Sequence, residues 1–111
     1  MSVYVNNFTI ETGAYFSRDF YLDNSNGTSL DLTGYSAKSY LRKHSESVNA
    51  TSIFNVGFIN RTDGHIRVSL ATTATKAIKP GRYVYDVKIT TSGKDYKAVE
   101  GSALVRAGVT R

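Results

Sequence analysis

The residues of this chain that could do chemistry are few and scattered. His44 and His65 are the only histidines, and there is no cysteine. Without thiols there can be no disulfide, no thiol nucleophile and no cysteine-based zinc site. A metal site would need both histidines together with carboxylates, and no short spacing brings such a set together. Each histidine reads as solvent-exposed, His44 in a polar loop and His65 on the outward parity of a strand. Asp23-Asn24-Ser25-Asn26-Gly27 has the composition of a calcium loop, but its glycine stands one place early. The twelfth position is Gly34 where a bidentate Glu is needed, so a turn is the stronger reading. Serines are plentiful, yet no G-x-S-x-G elbow exposes one as a nucleophile, and no glycine-rich phosphate loop is present. The expectation is a protein without enzymatic activity, cofactor or resident metal.

Aromatic residues alternating with basic ones could form a platform for single-stranded nucleic acid. Two stretches have that pattern: Tyr15-Phe16-Ser17-Arg18-Asp19-Phe20-Tyr21, and Tyr35 to Arg42 with Lys38 and Tyr40. The same pattern also arises from ordinary core and cross-strand packing, which is the stronger reading. One detail points further. Phe16 and Phe20 share one face of their strand, and Tyr15 and Tyr21 share the other. A monomeric sandwich needs only one apolar face per strand. Tyr15, Tyr21, Tyr40 and Arg42 are therefore the candidate interface residues, tyrosine being enriched where proteins meet.

The balance of charge permits contact with nucleic acid, anionic glycans or an acidic protein surface, but a solvated surface is the stronger reading. Fourteen basic and nine acidic residues give a net charge of +5, but the basic residues are dispersed, with Arg42-Lys43 the densest pairing. Hydrophobic content of 41% and charged content of 21% are those of a globular protein. No basic segment followed by an apolar core suggests a signal peptide, and no apolar run reaches membrane-spanning length. Asn-x-Ser/Thr triplets begin at Asn7, Asn26, Asn49 and Asn60, and without a secretory signal they would stay unmodified.

The elements that must position these residues are mostly strands. The hairpin at the C-terminal end is the clearest. Tyr83, Tyr85, Val87 and Ile89 alternate with Arg82, Asp86, Lys88 and Thr90, the period of a strand with one buried face. Thr91-Ser92-Gly93-Lys94 is a tight loop, and Tyr96 to Arg106 returns. Pairing residue 91 with 95 sets Val87 opposite Val99, Tyr85 opposite Gly101 and Tyr83 opposite Ala103. A large ring over a strand glycine repairs the missing side chain. Pairing 91 with 94 would place Glu100 opposite Tyr85 on the buried face, at the cost of desolvating a carboxylate. The first register is expected.

Upstream, strands are expected over Val3 to Ile10, Tyr15 to Leu22 and Tyr35 to Lys43, with Ala37, Ser39 and Leu41 inward. Further strands run from Ile53 to Ile59 and from His65 to Leu70. Residues 44–51 are polar and without period, and read as a mobile loop. Thr72 to Ile78 is the one helical candidate, opened by a threonine cap with Ala74, Ala77 and Ile78 at helical spacing. Seven short strands at this spacing predict one domain over residues 1–111. It would be an all-β, immunoglobulin-like antiparallel β-sandwich with one short helical turn.

Two stretches carry a family likeness. Leu30-Asp31-Leu32-Thr33-Gly34-Tyr35-Ser36-Ala37 resembles the D-L-T-G-Y/A-x-A/V element of small Ig-like virion proteins of tailed bacteriophages. Pro80-Gly81-Arg82-Tyr83-Val84-Tyr85-Asp86-Val87, with Val99-Glu100-Gly101 and Val105 to Arg111, resembles their closing hairpin. Phe8 to Ala14 is similar to their I-x-x-G-A-x-F strand pair. The likeness is to the N-terminal domain of phage baseplate upper proteins and related tail modules. It implies a structural protein that docks onto other virion proteins in a symmetric multi-copy assembly, in a particle built in the host cytoplasm. Tail or baseplate is the expected place and capsid decoration the second. A host-surface glycan-binding or nucleic-acid-binding module is the rival class. Because the chain stops at Arg111 without a receptor-binding arm, a free-standing subunit is expected.

Overall fold

The computed structural model describes residues 4–24, 27–44 and 51–108. Its strands are β1 (Tyr4–Val5), β2 (Phe8–Glu11), β3 (Phe16–Tyr21), β4 (Ser36–Arg42), β5 (Ser52–Asn60), β6 (His65–Leu70), β7 (Gly81–Thr91) and β8 (Lys94–Arg106). Hydrogen bonding runs in the order β1-β8-β7-β4-β5-β6-β3, and β2 also pairs with β8. The path folds over at β5. Its first residues, Ser52 to Phe54, pair with β4, whereas Asn55 to Asn60 pair with β6. One layer therefore holds β1, β2, β8, β7 and β4, and the other holds β3 and β6, with β5 passing between them. This is the expected all-β immunoglobulin-like sandwich.

One part of the expectation is corrected. The first strand breaks at Asn6-Asn7 into β1 and β2, and both run parallel to β8: Tyr4 lies beside Val99 and Phe8 beside Ala103. Nothing in the alternation of Val3 to Ile10 distinguishes a parallel from an antiparallel neighbour. The polar loop expected at 44–51 falls largely on residues 45–50, outside the described residues.

The core follows from alternation. Phe8 and Ile10, Ile66, Val68 and Leu70, and Tyr83, Tyr85, Val87 and Ile89 are buried on alternate positions of their strands. Each such side chain contributes about 1.5–3 kcal/mol on burial, so these runs dominate the stability. Phe8 lies 4.7 Å from Phe16 and 4.5 Å from Tyr85 between ring centres, with Phe54 edge-on to Phe8. Ser39 is buried as expected, and its hydroxyl donates to the Asp86 carbonyl at 2.6 Å. Leu30 and Leu32 are buried in the core, and Asp31 Oδ1 accepts from the Thr33 N–H and hydroxyl to hold that turn. The helix, α1 (Thr72–Lys76), exists, but Ala71 stands at its N-cap and no side chain caps it. Its anchors are buried Ile78 and Thr75, whose hydroxyl lies 2.8 Å from the Ala14 carbonyl and 3.0 Å from that of Thr72.

The β7–β8 hairpin contains both registers weighed from the sequence. Near the turn Thr91 pairs with Lys94, which leaves a two-residue loop. Ser92 and Gly93 have φ of 51° and 74°, the paired positive angles that match the twist of adjacent strands. Further along, Val87 pairs with Val99, Tyr85 with Gly101 and Tyr83 with Ala103, as expected. A bulge at Ala98 reconciles the two halves: Lys88 pairs with Lys97 and Val87 with Val99, leaving Ala98 unpaired. Ala98 and Val99 are both buried, and Glu100 emerges half-buried on the outer face.

Gly101 is required by its neighbour across the sheet. A Cβ there would stand 2.0 Å from the Asn6 carbonyl oxygen and 2.8 Å from its carbon. The Asn6 peptide, more than the Tyr85 ring, fills the space over the glycine. The Tyr85 hydroxyl donates to that carbonyl at 2.6 Å, and burial pushes its pKa well above the ordinary phenol range. The Asn6 N–H donates to the Glu100 carbonyl, and the Ser102 N–H goes to Asn7 Oδ1 at 2.9 Å. A side-chain amide thus takes the ladder position that the Asn6 carbonyl has left.

Gly101→Ala should lower stability by about 2–4 kcal/mol, because backbone must move. Gly57→Ala, with nothing within 4 Å of the added carbon, should cost less than about 0.5 kcal/mol. Tyr85→Phe should cost about 1–2 kcal/mol through the stranded carbonyl. Ser92→Asn should raise stability by a few tenths of a kcal/mol, since Asn tolerates the left-handed region better. Chemical denaturation of the four variants checks this order, and equal losses at Gly101 and Gly57 would contradict it.

Candidate interaction surfaces on the two sheet faces

The four candidate residues do not form one surface. Tyr40 and Arg42 lie on the outer face of β4–β7–β8, while Tyr15 and Tyr21 lie on the outer side of the β3–β6 layer. The aromatic–basic platform imagined from sequence is divided between two faces.

The β4–β7–β8 face is a shallow groove of about 550 Å³, lined by Val5, Tyr40, Arg42, Asp86, Lys88, Lys97 and Glu100 among others. Strand register arranges these side chains in rows across the sheet. Lys38 pairs with Lys88 and Lys88 with Lys97, giving a row of three lysines. The next row runs Ile53, Tyr40, Asp86, Glu100, Val5, with Asp86 directly opposite Glu100. The row beyond holds Arg42 and Val84, and the Arg42 guanidinium lies 4.9 Å from the Tyr40 ring centre. Like charges directly opposite one another destabilise a sheet, and here three such pairs occur together. The ion pair Lys97–Glu100, at 3.6 Å, offsets this only in part. Val5 and Ile53, at the two ends of the acidic row, are 73% and 63% exposed.

The β3–β6 face is organised by Asp19. Its carboxylate accepts from Arg67 Nε at 2.6 Å and Nη2 at 3.2 Å, and it lies 3.0 Å from His65 Nε2. These bonds, the arginine's first, hold the Asp19 carboxyl down at about 2. His65 is thus half-buried and partnered, not the free surface residue its parity suggested, and its ring stacks on Tyr21 at 4.2 Å. Tyr15 and Tyr21 remain 64% and 59% exposed. The cluster is an ion pair of Asp19 with Arg67, with His65 beside it, next to two accessible rings. Among the described residues no group of three or more His, Asp or Glu could hold a metal, and no helix is long and apolar enough to cross a membrane.

Sequence reasoning missed the charge rows. Asp86 and Lys88 were visible as the outward parity of β7, but only the β4–β7–β8 register shows that like charges align. The Asp19–Arg67–His65 cluster joins strands about fifty residues apart, and no local pattern announces it.

No family model matches the chain, and no curated protein matches it. Among solved structures, the Lin-41 filamin domain is similar over 90% of this chain and 84% of its own, with 16% identity and a TM-score of 0.49. Listeria monocytogenes InlP is similar over 91% of this chain but only 26% of its own, with 14% identity and a TM-score of 0.48. AggA, the major subunit of aggregative adherence fimbriae type I from Escherichia coli, covers 92% of this chain and 89% of its own, with 15% identity and a TM-score of 0.36. At these identities and scores nothing of what those proteins do passes to this one.

Asp19→Asn should lower stability at neutral pH by about 0.5–1 kcal/mol, the range of exposed but well-aligned ion pairs. A carboxyl whose folded pKa is depressed stabilises above its unfolded value and loses that contribution as pH falls through the folded one. The wild-type advantage should therefore fade between about 3.8 and about 2. Denaturant titrations at several pH values test this, and an advantage undiminished at the acid end would contradict it.

Proposed function

We propose that this chain is a non-enzymatic structural subunit of a bacteriophage particle. It is an Ig-like module that docks onto other virion proteins, in the tail or baseplate ahead of the capsid surface. The observation that carries the reading is the outer face of β4–β7–β8. There a groove with exposed Val5, a half-buried Tyr40 and rows of aligned charge, with exposed Ile53 at the end of one row, covers a well-packed frame.

The residues behind the family likeness support it from the other side, because they are occupied with the frame. Leu30 and Leu32 are buried, Gly34 turns the chain at φ 83°, and Tyr83, Tyr85 and Val87 line the core. The scaffold is held by one set of residues and the outer faces by another. That division suits a module whose partners differ while its fold stays the same.

A nucleic-acid site is disfavoured by Asp86 and Glu100, whose carboxylates stand beside the lysine row and would repel phosphate. Mass spectrometry of purified particles from the phage that encodes this chain should find it at a fixed copy ratio to the tail proteins. Its absence from the particle would overturn the reading. Binding of single-stranded DNA that weakens steeply with salt, or retention on host surface polysaccharide, would favour the rival classes instead.

A further inference from the structure

We infer that the β4–β7–β8 face binds a second copy of this chain, related by a two-fold axis lying in the interface parallel to the charge rows. The inference deepens the assembly reading and rests on its premise that this face is a docking surface.

The rows are self-complementary. Lys88 and Lys97 stand in one row, and Asp86 and Glu100 in the next, on the same two strands. Same-face rows lie about 7 Å apart, so an axis midway between them exchanges one row for the other. Rotation about it lays Lys88 over Asp86 of the second copy and Lys97 over its Glu100, with Lys38 over the Tyr40 ring. The symmetry repeats every contact, as a closed two-fold interface must. The like-charged pairs that destabilise each isolated sheet become alternating charge in the pair. The exposed side chains of Val5 and Ile53 lie at the ends of these rows, where a facing copy would cover them.

The sheet edge at β3 carries charge that disfavours self-association. Arg18 projects between Phe16 and Phe20 on the core-facing parity, and its guanidinium donates to Asn6 Oδ1 at 3.2 Å. An inward-pointing charge of this kind guards an edge strand. Antiparallel pairing of two β3 strands centred on Arg18 would oppose Arg18 with Arg18, and centred on Asp19 it would oppose Asp19 with Asp19. Both of these centres oppose like charges, which disfavours that edge relative to the face.

Single charge reversals test the inference because they act oppositely on the monomer and on the dimer. Lys88→Glu turns the Lys38–Lys88–Lys97 row into alternating charge, and Asp86→Lys does the same opposite Glu100. Each variant should unfold at the wild-type temperature or above it. In sedimentation equilibrium up to about 0.5 mM, the wild-type chain should dimerise, and more weakly as salt is raised. Each variant alone should dimerise at least about tenfold more weakly. In the first, the introduced carboxylate would face Asp86 of the second copy; in the second, the introduced ammonium would face its Lys88. An equimolar mixture should restore dimerisation, because both cross-contacts then join opposite charges. A wild-type chain that stays monomeric throughout, or a reversed variant that dimerises as the wild type does, overturns the inference. Should a reversal unfold early, Lys88→Gln replaces it, with weaker dimerisation expected and unchanged dimerisation overturning the inference. A monomeric chain found in the particle leaves the virion reading standing, and a dimeric chain absent from the particle leaves this one standing.

Discussion

The contact on which the sandwich depends most is the one at Asn6. Its carbonyl turns inward over Gly101 and accepts the Tyr85 hydroxyl, while its side-chain oxygen accepts the Arg18 guanidinium from β3. One residue therefore ties β7 and β8 to the first strand and joins that strand to the other layer. The geometry leaves no room for a side chain at residue 101. It also explains why the first strand breaks: a continuous ladder beside β8 would keep the Asn6 carbonyl in the sheet plane, out of reach of Tyr85. Asn7 makes good the lost bond by offering its amide oxygen to Ser102. The interruption is what allows a buried tyrosine to be satisfied, and a buried hydroxyl without a partner would be costly.

Much of the frame was legible from residues alone. The alternation in Tyr83 to Ile89 and in Ile66 to Leu70, the inward Ser39 and Leu41, and the opposition of Tyr85 and Gly101 all follow from period and pairing chemistry. What escaped depends on contacts between distant segments. The parallel course of β1 and β2 is set by their partner, not by their own pattern. The Ala98 bulge arises because the turn demands one register and the core demands another, and each signal read alone favours a single answer. Arg61 is a further case. It donates to the Leu32 and Tyr35 carbonyls at 2.9 and 2.8 Å and lies over the Phe58 ring, so it pins the segment from Leu32 to Tyr35. Nothing near residue 61 signals that role. The candidate surface was half legible: Tyr40 and Arg42 do share one face, and Tyr15 and Tyr21 another, but which strands neighbour them decides what each pair can do.

The functional reading rests on a contrast in how the two sides of the β4–β7–β8 layer are built. Inside, polar atoms are satisfied and side chains fill the space, with Ser39 bonded and the Phe8, Phe54 and Tyr85 rings in contact. Outside, the same strands align lysine with lysine and aspartate with glutamate, an arrangement that lowers monomer stability. A surface selected for solubility alone would intersperse its charges. Aligned rows beside exposed aliphatic residues make sense when a partner supplies the opposite pattern.

Lysine footprinting tests that claim most directly, because the lysines themselves are the probes. Acylation of the free chain at low concentration should modify Lys38, Lys88 and Lys97 on the face, and Lys76 and Lys79 at and beyond the helix. In the assembled particle, Lys88 and Lys97 should become protected while Lys76 and Lys79 stay reactive. Equal reactivity of all five in the particle, or protection confined to Lys76 and Lys79, would contradict the assignment of this face as the docking surface.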